Sequence, residues 1–260
     1  MKHTFAVPAY GDSPYLEACL KSLKKQTVPS DIILCTSMPS PFLKEMSDRY
    51  GVPLYIREGE KGIGRDWNFA FDRAETDLVT IAHQDDLYEH DYTKTLFEAK
   101  EKYPDMSLFT TASVTLKKKK LTEWGTEETV KKLLRMPLRC PELCGFSTVK
   151  KSVFLLGNPV ICPSCTYDRT FLNGMHFSET YQFILDWDFL YRLAGMPGRF
   201  VCSEKPLIIY RIHEGAATFS CIEGNIRERE EAEMFGRLWP KPAAESIRRL
   251  YRRSYEAYRE

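Results

Sequence analysis

The feature that most constrains this fold is an alternation repeated over the first 116 residues: a short apolar run, a polar break, then helical periodicity. Residues 4–8 are apolar and closed by Pro8. Ser13 is placed to cap a helix, with Pro14 in its first turn and Leu16, Leu20 and Leu23 at helical spacing. Strands are predicted over 31–35, 52–56, 78–82 and 107–116, and helices over 42–50, 65–73 and 91–102, with Gly62 and Gly64 forming a turn before the second of these. Strands separated by helices of this length make right-handed βαβ units, so the chain reads as an α/β fold, a Rossmann-like and mostly parallel sheet flanked by helices. Ligands on such sheets bind outside the carboxyl ends of the strands. That directs attention to Ala9-Tyr10-Gly11, Thr36-Ser37 and His83-Gln84-Asp85-Asp86.

Beyond residue 116 the pattern loosens. Residues 117–120 are a lysine run suited to a solvated turn, and 127–134 read as a helix. From 139 to 175 Pro, Cys, Gly and Ser predict loops; 178–194 read as one helix, and 200–211 as one or two strands. A charged helical tail starts near Glu223, with Pro240 and Pro242 breaking it before a last basic helix.

The 260 residues suit one large α/β domain with a short appendage. A formal net charge of +1 gives no global field toward nucleic acid, and no nucleic-acid partner is expected. No apolar run approaches the roughly 20 residues of a membrane span. The opening Met1-Lys2-His3-Thr4 lacks the features of a secretion signal, so a cytoplasmic location is expected, with disulfides correspondingly disfavoured.

Three segments carry candidate chemistry. Asp85 and Asp86 repel each other at a sheet edge unless a cation sits there; a divalent cation relieves that repulsion and bridges a diphosphate. The same residues equally suit a helix-capping Asp beside a solvated one. Asp186 and Asp188 lie among Phe183, Ile184, Leu185, Phe189 and Leu190. Desolvation there raises a carboxyl pKa toward that of a general base, while the plainer alternative is a cap or a salt bridge to Arg192. In Tyr210-Arg211-Ile212-His213, His213 is a candidate metal ligand and Arg211 a candidate phosphate partner, although a lone histidine after a strand is more often structural.

In their order along the chain these segments resemble the inverting glycosyltransferase family 2, which has the GT-A fold. The resemblance covers about residues 3–220. Phe5-Ala6-Val7-Pro8-Ala9-Tyr10, followed by Leu16-Glu17-Ala18-Cys19-Leu20, looks like the family's opening strand and helix. Gly62-Ile63-Gly64-Arg65-Asp66-Trp67-Asn68 is similar to its Gly-rich turn, and His83-Gln84-Asp85-Asp86 to its metal motif. Leu185-Asp186-Trp187-Asp188 and Tyr210-Arg211-Ile212-His213 resemble the two later motifs. The resemblance implies a nucleotide-diphosphate sugar donor, a UDP-sugar by preference, and a saccharide or lipid-linked saccharide acceptor in surface polysaccharide or glycolipid assembly. It implies Mn²⁺ or Mg²⁺ at Asp85, supported by Asp86 and His213, and Asp186 as base. Pro8, Ala9 and Tyr10 would lie against the nucleotide and Arg65 near the donor phosphates. His83 and Thr36 stand where the family usually places carboxylates that touch the donor. A GT-A domain is expected over 1–222, with a nucleotide half (1–116) and an acceptor half (117–222), and a C-terminal helical extension over 223–260.

Three other features compete for a role. Cys140, Cys144, Cys162 and Cys165 have spacings that admit a zinc site, although Cys162-Pro163-Ser164 also resembles an acceptor-side segment of the family. The basic tail from Arg248 to Arg259 suits a helix docked by its apolar stripe, or a peripheral contact with the inner membrane face. A nucleotidyltransferase would need a Gly-rich basic loop after the first strand, which Ala9-Tyr10-Gly11-Asp12 does not supply. A non-catalytic sugar-nucleotide-binding protein is the remaining alternative, motivated by His83 and Thr36.

Overall fold

The alternation becomes four parallel strands in the structure, a computed structural model that describes residues 1–118, 120–122 and 126–251. The order is β1 (His3–Pro8), α1 (Leu16–Lys24), β2 (Asp31–Thr36), α2 (Pro41–Tyr50), β3 (Leu54–Ile56), α3 (Ile63–Arg73) and β4 (Leu78–Ile81). There follow β5 (Leu87–Tyr88), α4 (Tyr92–Lys102), β6 (Met106–Lys117), β7 (Lys120–Thr122), α5 (Thr126–Leu134), α6 (Ser147–Ser152) and β8 (Thr166–Asp168). The chain continues through α7 (Leu185–Ala194), β9 (Arg199–Ile212), α8 (Ala217–Glu223), α9 (Ile226–Leu238) and α10 (Lys241–Tyr251).

One sheet runs in the order β3-β2-β1-β4-β8-β6-β9-β5, with β7 paired to β6. β3, β2, β1 and β4 are mutually parallel, and β6 is parallel to β9. β8 runs antiparallel to both of its neighbours. Strand alternation divides the core. Phe5, Val7, Ile32 and Leu34 face α1, α2 and α4, whereas Ala6, Ile33, Cys35, Val79 and Ile81 share the other core with residues of α3, α7 and α9. β1 lies between β2 and β4, so chain order reverses there and opens a crevice at the carboxyl ends of β1 and β4.

Local chemistry explains much of the first half. Ser40 caps α2 by accepting the Leu43 N–H at 3.2 Å, Pro41 opens the helix, and Gly51 ends it in the left-handed region at φ 56°. Ser13 is used differently from the expected cap. α1 begins at Leu16, and the Ser13 hydroxyl donates to Asp85 Oδ1 at 2.8 Å while accepting the Tyr15 N–H at 3.3 Å. Gly64 lies inside α3 rather than in a turn. A Cβ there would stand 2.1 Å from the Ser178 carbonyl oxygen, so the close approach of the two segments requires glycine.

The second half departs further. Residues 178–184 are not helical, and α7 starts only at Leu185, because the Glu230 side chain takes the N–H groups of Gln182, Phe183 and Ile184. β8 emerges from the Pro- and Cys-rich stretch and enters the middle of the sheet, where Thr166 bonds Thr80 at 2.6 Å through their hydroxyls. α10 docks through Ala244 and Ile247 onto the core that includes Met234 and Phe235. The rest of the basic tail, from Arg252 to Arg259, lies outside the described residues. Among the described residues, no helix is long and apolar enough to cross a membrane.

Candidate active site

The crevice between β1 and β4 is closed at its base by an amide clamp. The Tyr10 N–H donates to Gln84 Oε1 and the Gln84 amide donates to the Tyr10 carbonyl, both at 3.1 Å. Pro8 ends β1, the Ala9 N–H continues the ladder to the Cys35 carbonyl at 2.7 Å, and the Tyr10 ring is exposed beside the Lys61 ammonium. Next to it, at the ends of β1 and β2, a cleft of ≈ 460 Å³ is lined by Gly11, Asp12, Ser37, Met38, Ser40 and Lys61. That volume suits a small-molecule site.

Thr36 does not face this cleft with its hydroxyl. It is buried, and its Oγ1 accepts the Met38 N–H at 2.9 Å, forming the turn after β2. Ser37 instead donates to Asp66 Oδ2 at 3.1 Å, and Asp66 also pairs with Arg57 at 2.9 Å. A carboxylate therefore reaches the end of β2 from α3, a contact that sequence spacing does not reveal. Arg65 is engaged by two carboxylates, Glu60 and, at 3.2 Å, Glu179; the Glu60 contact in particular raises its pKa further.

The chain turns after β4 and places Asp85 against the end of β9. Asp85 accepts from Ser13, and its Oδ2 lies 3.1 Å from His213 Nε2. That pair is not aligned as a hydrogen bond, so the buried Nε2 has no hydrogen-bond partner among the described residues. Tyr15 backs the His213 ring at 4.6 Å between centroids and carries the Arg211 guanidinium over its own face at 4.4 Å. Asp86 points inward. It is 2 % exposed, its Oδ1 accepts the Arg211 backbone N–H at 2.8 Å, and burial pushes its pKa up to about 8. Arg211 Nε completes the lock on the Asp85 carbonyl at 2.9 Å. The two residues of β5 make this possible, pairing Leu87 with Ile209 and Tyr88 with Ile208 and so drawing the Asp85 turn to His213. His83 packs on Trp67 at 5.0 Å; burial lowers its pKa to about 4, and its Nε2 is likewise without a hydrogen-bond partner.

Asp186 occupies the first turn of α7. Oδ2 accepts from the Asn158 amide at 2.9 Å and Oδ1 from the Trp187 N–H at 2.7 Å. Asn158 is itself oriented, because its Oδ1 accepts the Val160 N–H at 3.1 Å. Burial raises the Asp186 pKa to about 7, against the lowering effect of those bonds. Asp188, two residues on, is structural: it pairs with Arg192 and with Arg237 of α9, each at 2.8 Å. Of the two motif carboxyls, Asp188 takes the salt-bridge arrangement, whereas Asp186 is held by an amide and a backbone N–H.

The strand-and-turn pattern of the first half has a counterpart among known families. Residues 4–154 match the description "Glycosyl transferase family 2". The chain belongs to that family. This family-2 chain is also 30% identical over 102 residues to glycosyltransferase GlyA of Streptococcus pneumoniae, a match covering 37% of this chain and 15% of the pneumococcal protein. Among solved structures it resembles a mannosyltransferase from Pyrobaculum calidifontis in complex with GDP-Man and Mn²⁺ (TM-score 0.66, 13% identity, 95% of this chain and 68% of that one). It likewise resembles Staphylococcus aureus TarS in complex with UDP-GlcNAc (TM-score 0.64, 16% identity, 95% and 70%). Glucosyl-3-phosphoglycerate synthase of Mycobacterium tuberculosis follows at TM-score 0.59 and 14% identity, covering 91% of this chain and 80% of that one. The family-2 fold is therefore GT-A, as the ordered motifs implied.

The family-2 chain does not gather its four clustered cysteines. Cys140 is exposed, whereas Cys144 is buried with its thiol directed to the Pro137 and Cys140 carbonyls. Among the described residues, no group of three or more His, Cys, Asp or Glu is arranged to hold a metal. Residues that sequence reasoning missed are Gln84, Asp66, Asn158 and Glu230. Of these, only Gln84 carried a signal, lying within the turn after β4.

Proposed function

We propose that this chain is an inverting glycosyltransferase, moving a sugar from a nucleotide-diphosphate donor, a UDP-sugar by preference, onto a hydroxyl of a saccharide or lipid-linked saccharide. The arrangement that carries the reading is the Asp85 carboxylate 3.1 Å from His213 at the end of β9, together with the buried Asp186, held by Asn158 and the Trp187 N–H and with its pKa raised to about 7.

The residues at Asp85 fit a divalent cation. A carboxylate oxygen and an imidazole nitrogen 3.1 Å apart, the nitrogen without a hydrogen-bond partner among the described residues, are a suitable ligand pair. Asp85 and His213 would hold it, and an imidazole ligand would favour Mn²⁺ over Mg²⁺. When bound, the cation supplies charge neutralisation for the leaving diphosphate. Asp86, which accepts the Arg211 backbone N–H, positions the turn. The cleft beside Tyr10 takes the nucleoside, with Lys61 at its rim.

Asp186 acts as general base. Its carboxylate removes the proton from the acceptor hydroxyl as that oxygen attacks the anomeric carbon opposite the diphosphate, which inverts the configuration there. A base with a pKa near the working pH is matched to that task. Asn158 and the Trp187 N–H hold the two oxygens and keep the ionised form accessible.

The test is donor hydrolysis and thermal shift with UDP-GlcNAc, UDP-glucose and GDP-mannose, with and without Mn²⁺. Metal-dependent stabilisation by one donor and slow release of its nucleotide are expected. Stabilisation equal with and without metal, and no turnover of any donor, would remove the proposal.

A further inference from the structure

A buried carboxylate far from the chemistry holds the backbone that leads into Asp186. Glu230 on α9 is 3 % exposed. Its oxygens accept the N–H of Gln182 at 3.0 and 3.2 Å, of Phe183 at 2.8 Å and of Ile184 at 3.2 Å. These amides precede α7, whose N-cap residue is Ile184 and makes no side-chain cap. Helix starts leave N–H groups unpaired and favour negative charge there. Here the charge arrives from another helix, 46 residues along the chain.

The neighbouring contacts of α9 fall on the same segment. Arg227 lies over the Phe183 ring at 4.8 Å and pairs with Glu231 at 2.8 Å. Glu233 accepts from the Tyr181 hydroxyl, Phe235 meets Trp187 at 5.0 Å, and Arg237 reaches Asp188 at 2.8 Å. At its other end the segment is fixed to α3. Asn68 holds both backbone groups of Phe177 at 2.8 and 3.0 Å, the Ser178 carbonyl fills the space left by Gly64, and Glu179 pairs with Arg65. Residues 178–184 are thus a strap running from the donor-side helix to the base, with α9 behind it.

We infer that Glu230 is a positioning residue for transfer, and that the helices after residue 222 are part of the catalytic unit because Glu230 sets the strap and thereby the place of Asp186. The inference rests on Asp186 being the base. A buried carboxylate that bonds several backbone amides rigidifies the groups it joins. Loss of the anion frees three consecutive amides directly before the base, and a displacement of about 1 Å costs on the order of 10²-fold in rate.

The experiment compares wild type, Glu230→Gln and Glu230→Ala as full chains, by amide hydrogen exchange and by steady-state kinetics. Glu230→Ala is expected to speed exchange in the peptide spanning 182–187 while the parallel strands keep wild-type protection. Its kcat is expected to fall roughly 10²-fold with donor KM within about 2-fold. Glu230→Gln keeps the volume and one acceptor oxygen, so its kcat is expected between the two, and it carries the test if the alanine variant does not fold. Unchanged exchange at 182–187, or wild-type kcat in a folded variant whose exchange has risen, overturns the inference. An equal fall in protection across the whole chain also overturns it, since that marks a stability role alone. Failure of the underlying reading is separate: it appears as full transfer by Asp186→Asn, which the exchange measurement does not touch.

Discussion

In the donor half, most candidate residues lie at or shortly after the end of a strand: Tyr10 after β1, Thr36 closing β2, Asp85 after β4, with Arg65 on α3 the exception. In the base half, Asp186 sits on a helix whose start is set by Asn158, 28 residues before it, and by Glu230 on a separate helix. The donor edge is a product of parallel strands in register, where one local pattern places all the turns on one side. The base pocket is assembled from segments that have no common period. Substitutions should therefore act locally at the donor edge and through distant packing at the base.

Four substitutions sharpen or break that contrast. Asp186→Asn is expected to lower kcat by about 10²–10⁴-fold with donor affinity nearly unchanged, read by steady-state transfer and nucleotide titration. A comparable loss in donor affinity would merge the two halves into one site. Asp85→Ala should weaken Mn²⁺-dependent donor binding on the order of 10²-fold, measured by calorimetry with and without the metal. Unchanged metal dependence would move the cation elsewhere.

Gly64→Ala sits where the halves touch. Its new Cβ would meet the Ser178 carbonyl at 2.1 Å, and overpacking of this kind costs roughly 1–3 kcal/mol, visible in urea unfolding. Wild-type stability would mean that the strap shifts freely against α3. Asn158→Ala is expected to give the smallest effect, and its sign is specific. As the proposed base Asp186 has to be ionised, so transfer is expected to rise with pH through its pKa of about 7. The Asn158 hydrogen bond lowers that pKa, and its removal raises it, moving the rising limb upward by about one pH unit. A limb that stays in place would take Asn158 out of the base pocket.

Several elements of this molecule could be read directly from the chain. The strands β1 to β4, the helices between them and the turn carrying Asp85 and Asp86 all follow from signals a few residues long. Asp85, Asp186 and His213 were each visible as candidates, since carboxyl and imidazole groups beside apolar runs are unusual. Their companions were not. Gln84 is one polar residue among several until the Tyr10 backbone meets it. Asp66 reads as an ordinary first-turn acid of α3 until Ser37 and Arg57 close on it. The predicted helix over 178–194 failed for a related reason: its periodicity is real, yet a carboxylate from α9 takes three of its N–H groups. β5 and β8 are too short to show a period, and only pairing with β9, β4 and β6 makes them strands.

Amino-acid order settled the α/β architecture and singled out the strand ends and charged groups proposed for the site, because periodicity and turn chemistry act over a few residues. Which of Asp85 and Asp86 faces outward, which of Asp186 and Asp188 is free of a salt bridge, and what anchors the base were settled by packing. Those outcomes depend on contacts between residues far apart in the chain, whose energies have no counterpart in local sequence.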